Sequence, residues 1–195
     1  MMVSFSNFHR LDPAARDVTI ELLENANGQP PSFMAFVYRW MAFNGWMSAV
    51  TLGDSDRETI DALAAAPRLV GAFDELMAGD AAFAEAVTAF AAMWPVLNVK
   101  SVRTKLGYAA FNQHDRPALL ALCAVNNVRQ QPQVWVAGSV PNWEQLLRTI
   151  YQVRCNLFHG EKSPQAFRDY ELVTGSDKIL ARFIAGTGCF GWFDL

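Results

Sequence analysis

The sequence predicts an all-α protein, and three observations lead to this prediction. Signals for β-strands are scarce, since the one β-like run covers residues 133–137 and ends at Gly138. Elsewhere apolar residues recur at the spacing that places them on one face of a helix. Residues that cap helices, and prolines or glycines that end them, separate these apolar segments from one another.

The predicted helices follow one another with short breaks. Five of them begin at a capping residue: Asp12, Ser32, Asp80, Asp115 and Asn142. The helices are predicted over residues 13–25, 33–52, 56–66, 67–78, 81–93, 117–131, 143–158 and 164–185, with Gly175 as a candidate interruption of the last one. The pattern between residues 96 and 114 is irregular. The aromatic residues of the C-terminal tail are expected to dock onto the body of the protein.

The composition indicates one domain over residues 1–195. Hydrophobic residues make up 52% of the chain and charged residues 18%, a balance typical of globular proteins. The net charge of -3 gives no broad positive field. This excludes a protein that coats nucleic acid non-specifically, so any contact with RNA has to be local.

Neither a metal nor a cofactor is expected. The three cysteines are an odd set without C-x-x-C spacing, which argues against a disulfide framework or a zinc site. The chain has no phosphate-binding loop and no dinucleotide-binding glycine motif. The N-terminus has no basic region followed by an apolar run, as a signal peptide would have. We therefore predict a cytoplasmic protein with reduced thiols.

The longest apolar stretch, residues 33–52, raises the question of a membrane span. Arg39 lies in its interior and Asn44 is nearby, and either side chain would be costly in lipid. A buried helix is the better interpretation, in which Asn44 needs a polar partner, such as the helix over residues 143–158.

The segment from Ile150 to Gly160 carries the most chemical information and reads I-Y-Q-V-R-C-N-L-F-H-G. On an ideal helix, one stripe of side chains is apolar and faces the core; it consists of Leu146, Ile150, Val153 and Leu157. A second stripe is polar with little charge; it consists of Arg148, Gln152, Cys155 and His159, and Asn156 borders it. Such a seam is typical of a cleft or a subunit interface.

Arg154 and His159 together could hold a phosphate and move a proton. Imidazole titrates near neutral pH and can act as a base toward a 2′-hydroxyl, while guanidinium is a forked donor for phosphate. Asn156 could orient the imidazole or a phosphate oxygen. Residues five positions apart on a regular helix point roughly 140° away from each other. The two groups therefore meet only if the helix ends or distorts at His159, or if two subunits supply one group each.

Structural roles would account for the same two residues. Arg154 could form an ion pair, with Asp169 or Glu161 as candidate partners, and His159 could be a polar helix cap. The R-x-x-x-x-H spacing alone does not decide between these interpretations, because it is common by chance.

The surroundings of this spacing resemble the signature of the HEPN superfamily. The resemblance rests on residues 150–160, with Lys162, Asp169 and the Leu172-Val173 pair after them. Residues 36–44, F-V-Y-R-W-M-A-F-N, are also similar to an F-x-x-x-W-x-A-F-N segment of small bacterial HEPN-like proteins. The resemblance implies a HEPN-like helical bundle, here with additional short helices, a homodimer with facing motif helices, and metal-independent cleavage of RNA. Many relatives act as toxins or in defence.

The resemblance assigns Arg154 to phosphate binding and His159 to the role of catalytic base or acid. Cys155 stands where the superfamily often has Asn, Asp or His, and Asn156 is one position further on. We therefore carry two hypotheses. The protein is an endoribonuclease, as a toxin or defence protein, or it is a non-catalytic HEPN-like module that binds RNA or a partner protein as an antitoxin or regulator.

The expected partners are RNA, a second copy of the chain, and a cognate antitoxin or other partner protein. Beyond the motif, basic or polar side chains near it and in the irregular stretch are candidate RNA contacts; they are Arg148, Gln152, Lys162, Lys100, Arg103 and Lys105.

Overall fold

The computed structural model describes residues 3–160 and 166–194, and the protein is all-α, as predicted. Within these residues the helices are α1 (Ser6–His9), α2 (Pro13–Asn27), α3 (Phe33–Thr51), α4 (Asp56–Ala64), α5 (Pro67–Gly79), α6 (Ala81–Ala91), α7 (Val99–Leu106), α8 (Ala110–Gln113), α9 (Arg116–Val125), α10 (Trp143–Phe158) and α11 (Phe167–Thr187). Strand β1 (Val96–Leu97) pairs antiparallel with β2 (Gln130–Gln131), and a 3-10 turn, Cys189–Gly191, follows α11.

The predicted helix starts are confirmed. The side chains of Asp12, Ser32, Asp80, Asp115 and Asn142 each accept a hydrogen bond from a backbone N–H in the first turn of α2, α3, α6, α9 and α10. These bonds satisfy donors that the helix itself leaves unpaired. At α10 the side chain of Gln145 also returns a bond to the backbone of Asn142, which completes a capping box.

Helix α3 lies at the centre of the core and packs against α2, α11 and α4. Its aromatic residues are sealed from solvent; they are Phe36, Trp40, Phe43 and Trp46. Contact between α2 and α3 is close at Gly45, where a Cβ atom would lie 3.0 Å from the Thr19 hydroxyl. The glycine therefore permits this approach of the two helices.

Arg39 is buried in α3, and its charge is paired there. Its Nε donates to Oδ1 of Asp177 on α11 at 2.7 Å, and its two other nitrogens donate to Asn27 and to the carbonyl of Ala26. This explains how an apolar core helix accommodates an arginine. In the described ranges, no helix has both the length and the apolar character that a membrane span requires.

At three places the structure differs from the predicted secondary structure or decides a point that the sequence left open. The predicted helix over 117–131 is shorter, because α9 ends at Val125 and Asn127 adopts a positive φ of 49°. The β-like run over 133–137 lies in the loop that the sequence predicts over 132–141 and forms no strand; the strands of the described chain lie at 96–97 and 130–131. Helix α11 continues through Gly175, where a Cβ atom would meet the Phe90 ring at 3.3 Å.

The irregular stretch from 96 to 114 folds into β1, α7 and α8. With α9 it encloses a second, smaller hydrophobic cluster: Leu97, Val102, Ala110, Leu119, Cys123 and Val128. The side chain of Asn156 joins this part to α10, because its Nδ2 donates to the carbonyl of Leu97 at 2.8 Å.

The C-terminal tail docks onto α1 and its N-terminal flank, as predicted. The Asp194 carboxylate accepts hydrogen bonds from the Ser4 hydroxyl at 2.6 Å and from the backbone N–H of Phe5 at 2.8 Å. The Trp192 ring packs edge-on against Phe5, with 5.1 Å between ring centroids. The two ends of the described chain are therefore held together.

Candidate functional site

The motif helix α10 ends where the sequence indicated. Its last residue is Phe158, His159 is the C-terminal cap, and Gly160 follows with a φ of 68°. A positive φ is readily adopted by glycine, so Gly160 stops the helix directly after the motif. His159 therefore lies past the last full turn of α10 and is not held on a regular helix face.

The Arg154 guanidinium is fixed by an acid and by aromatic rings. Its Nη1 lies 3.1 Å from Oδ2 of Asp56, the first residue of α4. The central carbon of the guanidinium lies 4.8 Å from the centroid of the Phe158 ring and 5.8 Å from the centroid of the Tyr151 ring. Arg154 thus forms the ion pair that a structural role predicts, and among the described residues its partner is Asp56 and not Asp169; the other candidate, Glu161, lies outside the described residues.

His159 is exposed to solvent. Among the described residues, its imidazole makes no hydrogen bond or ion pair, and its backbone N–H donates to the carbonyl of Cys155. The Arg154 guanidinium is engaged with Asp56, so the two motif groups form no hydrogen bond within one protomer. Each nevertheless has access to solvent, Arg154 in part and His159 more fully.

Asn156 has a structural position. It is 2% exposed, its Oδ1 accepts from Gln152 at 3.0 Å and from the backbone N–H of Val99, and its Nδ2 donates to Leu97. These bonds hold β1 and the start of α7 against α10. We do not retain the predicted role of Asn156 in orienting the imidazole, because both the oxygen and the nitrogen of its amide are already hydrogen-bonded in this packing.

Gln152 belongs to the same buried network. Its amide donates to Asn156, and its Oε1 accepts from Asn98 at 3.3 Å. Like Asn156, it is buried, yet one side of it borders an open groove.

That groove has a volume of about 840 Å³ and runs between α10 and residues 123–133. From α10 it is lined by Arg148, Tyr151, Gln152 and Cys155. The polar seam of α10 therefore borders a cleft, as the sequence indicated. Arg154 and His159 are not among its lining residues, so the cleft and the motif are separate surfaces of the same helix.

Arg148 stands at the edge of this groove between two acids. Its Nη1 donates to Asp61 at 2.6 Å and its Nε to Glu144 at 2.9 Å. Burial alone would lower the pKa of Arg148, but these hydrogen bonds outweigh it and the pKa is raised. A phosphate at this position would have to compete with both carboxylates.

The three basic RNA-contact candidates of the irregular stretch, Lys100, Arg103 and Lys105, lie on α7. Lys100 is exposed, and the Lys105 ammonium donates to the carbonyls of Asn126 and Asn127 just beyond α9. The Arg103 guanidinium lies over the Tyr108 ring, 5.4 Å from its centroid. Lys162, the sixth candidate RNA contact, lies outside the described residues.

One predicted contact of this region is not found. Asn44 is partly exposed, and in the described part of the chain its side chain forms no hydrogen bond to α10. Three or more His, Cys, Asp or Glu side chains do not cluster at metal-binding geometry anywhere in residues 3–160 or 166–194.

Sequence reasoning missed two arginines, Arg116 and Arg168. Both line a second cavity together with Arg103, and this cavity shares no lining residue with the groove. They are 52 positions apart, and no local spacing pattern links them. Comparison with protein-family models, with curated proteins and with solved structures gave no match for this chain.

Proposed function

We propose that this protein is a HEPN-type endoribonuclease that cleaves RNA without a metal and acts as a homodimer. The observation that carries the proposal is the position of His159, exposed and hydrogen-bonded to no described side chain directly after the last turn of α10. A histidine that served only as a polar cap would bond to the end of its own helix or to a neighbouring side chain. His159 is instead accessible to a substrate.

Pairing of two copies would bring the motif groups together. Arg154 lies within α10 and His159 caps its end, and the two side chains form no hydrogen bond in one protomer. If two helix ends face each other, the imidazole of one copy can approach the guanidinium of the other. Both groups then act on one phosphate.

Exposed aromatic side chains flank the motif along the chain and support such pairing. Phe158 is 46% exposed and Phe167, the first residue of α11, is 81% exposed; Tyr170 is also exposed. Large apolar side chains left in solvent are typical of surfaces that bind a partner. A second copy of the chain would cover them while it brings the two motifs together.

In this arrangement the chemistry is transesterification. The His159 imidazole removes the proton from a 2′-hydroxyl, and the resulting oxygen attacks the adjacent phosphorus. The bond from phosphorus to the 5′-oxygen of the next nucleotide breaks, and that oxygen takes up the proton from the imidazolium. The products are a 2′,3′-cyclic phosphate and a 5′-hydroxyl end. Arg154 stabilises the negative charge that develops on the phosphate oxygens.

The direct test is cleavage of mixed RNA by purified protein in the presence of EDTA. We expect wild-type protein to cut and His159→Ala to cut roughly 100- to 10,000-fold more slowly, as for loss of a general acid–base group. Arg154→Ala should lose a similar factor. Arg10→Ala, which removes an exposed arginine far along the chain from the motif, is the matched control and should cut normally.

A second function is favoured by the surroundings of Arg154. Its ion pair with Asp56, its contact with aromatic rings and the buried, unpaired Nε are what a structural arginine would show. A non-catalytic module that binds RNA or a protein partner, as an antitoxin or regulator would, fits this arrangement. Intact RNA in the assay, together with a retained gel shift that His159→Ala does not abolish, would select this alternative.

A further inference from the structure

A second cavity, of about 550 Å³, lies beside the part of the protein formed by β1 and α7 to α9. Residues from three separate stretches line it: 96–103, 108–119 and 166–172. Charged and aromatic side chains among the lining residues include Arg103, Tyr108, Phe111, Arg116, Arg168 and Asp169. This volume falls within the range of roughly 300–1,000 Å³ that is usual for small-molecule sites.

Two guanidiniums meet at one backbone carbonyl in this cavity. Nη2 of Arg116 donates to the carbonyl of Met93 at 3.2 Å and to that of Pro95 at 2.6 Å. Nη2 of Arg168, from the first turn of α11, donates to the same Met93 carbonyl. Tertiary packing therefore holds two like charges side by side, an arrangement that costs free energy unless an anion joins them.

The electrostatics of the pair agree with its geometry. Burial and then the neighbouring Arg116 charge lower the pKa of Arg168 to about 10, against a smaller opposing effect of Asp169. Burial also lowers the pKa of Arg116. Both remain protonated at neutral pH. Arg116 and Arg168 thus place two positive charges at the cavity, while the whole chain carries -3.

Donors remain for a ligand. Among the described residues, each of the two guanidiniums bonds to carbonyls only through its Nη2 atom. The other nitrogens of Arg116 and Arg168 are not among the buried unpaired polar atoms of these residues. Two guanidiniums offered in this way match the several oxygens of a phosphate.

Aromatic side chains also line the cavity. Tyr108 is 80% exposed and Phe111 is also exposed, although both line the cavity. The Arg103 guanidinium lies over the Tyr108 ring and braces it from one side. A flat group can stack on such a ring, since aromatic side chains bind bases and other planar rings in this way.

We infer that this cavity binds an organic phosphate, a phosphate monoester whose carbon portion carries a flat ring. The phosphate lies between Arg116 and Arg168, and the ring packs against Tyr108 and Phe111. This site shares no residue with the Arg154–His159 motif. It stands whether or not the protein cleaves RNA.

Adenosine monophosphate is a suitable probe, and isothermal calorimetry measures its binding to the full chain. Adenosine, which lacks the phosphate, should bind at least tenfold more weakly. Arg168→Gln should weaken binding of the probe roughly 10- to 100-fold, as for loss of a charged hydrogen-bond donor. Arg168→Lys should recover only part of this loss, because the ammonium lacks the fork. Arg10→Gln, outside the cavity, should bind as wild type does.

Tyr108→Ala keeps the test decisive even if the arginine variants fail to fold. The side chain is mostly in solvent, so its removal should leave the melting temperature unchanged and weaken binding of the probe severalfold. Competition by a short RNA with a 5′-phosphate, and not by its 5′-hydroxyl form, would identify the end of an RNA as the source of the phosphate. Absence of competition by either would identify a free small molecule, and both results support the site.

Two results would overturn the inference. One is equal binding of adenosine and adenosine monophosphate, which would mean that the phosphate is not recognised. The other is no binding of the phosphate probe to wild-type protein at millimolar concentration.

Discussion

Asp56, the first residue of α4, holds the Arg154 guanidinium of α10 by an ion pair of 3.1 Å between Oδ2 and Nη1. The pair is partly exposed, with 23% of the Arg154 side chain and 39% of the Asp56 side chain accessible. It links the motif helix to a helix almost one hundred positions earlier in the chain. It also sets the catalytic and the structural interpretations of Arg154 against each other.

Asp56→Asn separates these interpretations. If Arg154 binds the phosphate of RNA, removing its competitor frees the guanidinium. A partly exposed pair is worth up to ~1 kcal/mol, so the KM for RNA should fall by up to about fivefold with cleavage retained. Steady-state kinetics on a short labelled RNA measure this. Equal losses of activity in Asp56→Asn and Arg154→Ala, matched by equal losses of stability, would mean that Arg154 only holds α4 to α10.

The buried pair of Arg39 and Asp177 should dominate the polar contribution to stability. Asp177→Ala leaves the Arg39 charge buried without its carboxylate, which costs about 3–5 kcal/mol in the free energy of unfolding. Urea denaturation followed by tryptophan fluorescence gives this value. Arg57→Ala removes half of the exposed pair with Asp61 and should change stability by less than ~0.5 kcal/mol. Similar values for both variants would contradict the assignment.

Phe167→Glu tests the homodimer. A charge placed at this exposed aromatic position, which follows the motif along the chain, should shift sedimentation velocity from dimer toward monomer and reduce RNA cleavage in parallel. The folded monomer should be unaffected, because the side chain is already in solvent. Val140→Glu, at an exposed valine of the loop before α10, is the matched control. A dimer that survives Phe167→Glu with full affinity would exclude this face.

Acid should release the C-terminal tail. Hydrogen bonds from the Ser4 hydroxyl and from the backbone at Phe5 and Ser6 hold the pKa of Asp194 below its ordinary value of 3.8. The folded protein binds this proton less readily than the unfolded chain does. The carboxylate therefore stabilises the fold above pH 3.8, and this contribution is lost as pH falls through the lowered pKa.

The measurement is the difference in melting temperature between wild type and Asp194→Asn across the pH range. We expect a constant difference near neutral pH that shrinks below about pH 4. The indole N–H of Trp192 donates to the carbonyl of Thr187, so the part of the tryptophan fluorescence that Trp192→Phe removes reports on the docked tail. A difference that does not change with pH would show that the Asp194 charge contributes nothing.

Much of the fold could be predicted because its signals are local. The starts of α3, α6 and α10 follow from Ser32, Asp80 and Asn142, whose side chains bond to N–H groups within three positions. The failures have long-range causes. The pairing of β1 with β2 joins residues 96–97 to residues 130–131, and no local pattern signals it.

The candidate site was predicted unevenly for the same reason. The exposure of His159 follows from its place before a helix-ending glycine, which the sequence displays. The burial of Asn156 does not, because it depends on the approach of β1 and α7 to the same side of α10. Asn44 shows the converse: its position in an apolar run predicted a buried polar partner, and the packing leaves it partly exposed.

By itself the sequence determined the all-α character, the capped ends of the main helices and the spacing of Arg154 and His159, because these depend on contacts within a few residues along the chain. Only the tertiary structure decided that Asp56 pairs with Arg154, that Asn156 is sealed in the core, and that Arg116 and Arg168 meet at one carbonyl. Those partners are brought together by the packing of helices far apart in the chain, and helix packing leaves no short-range pattern in the amino-acid order.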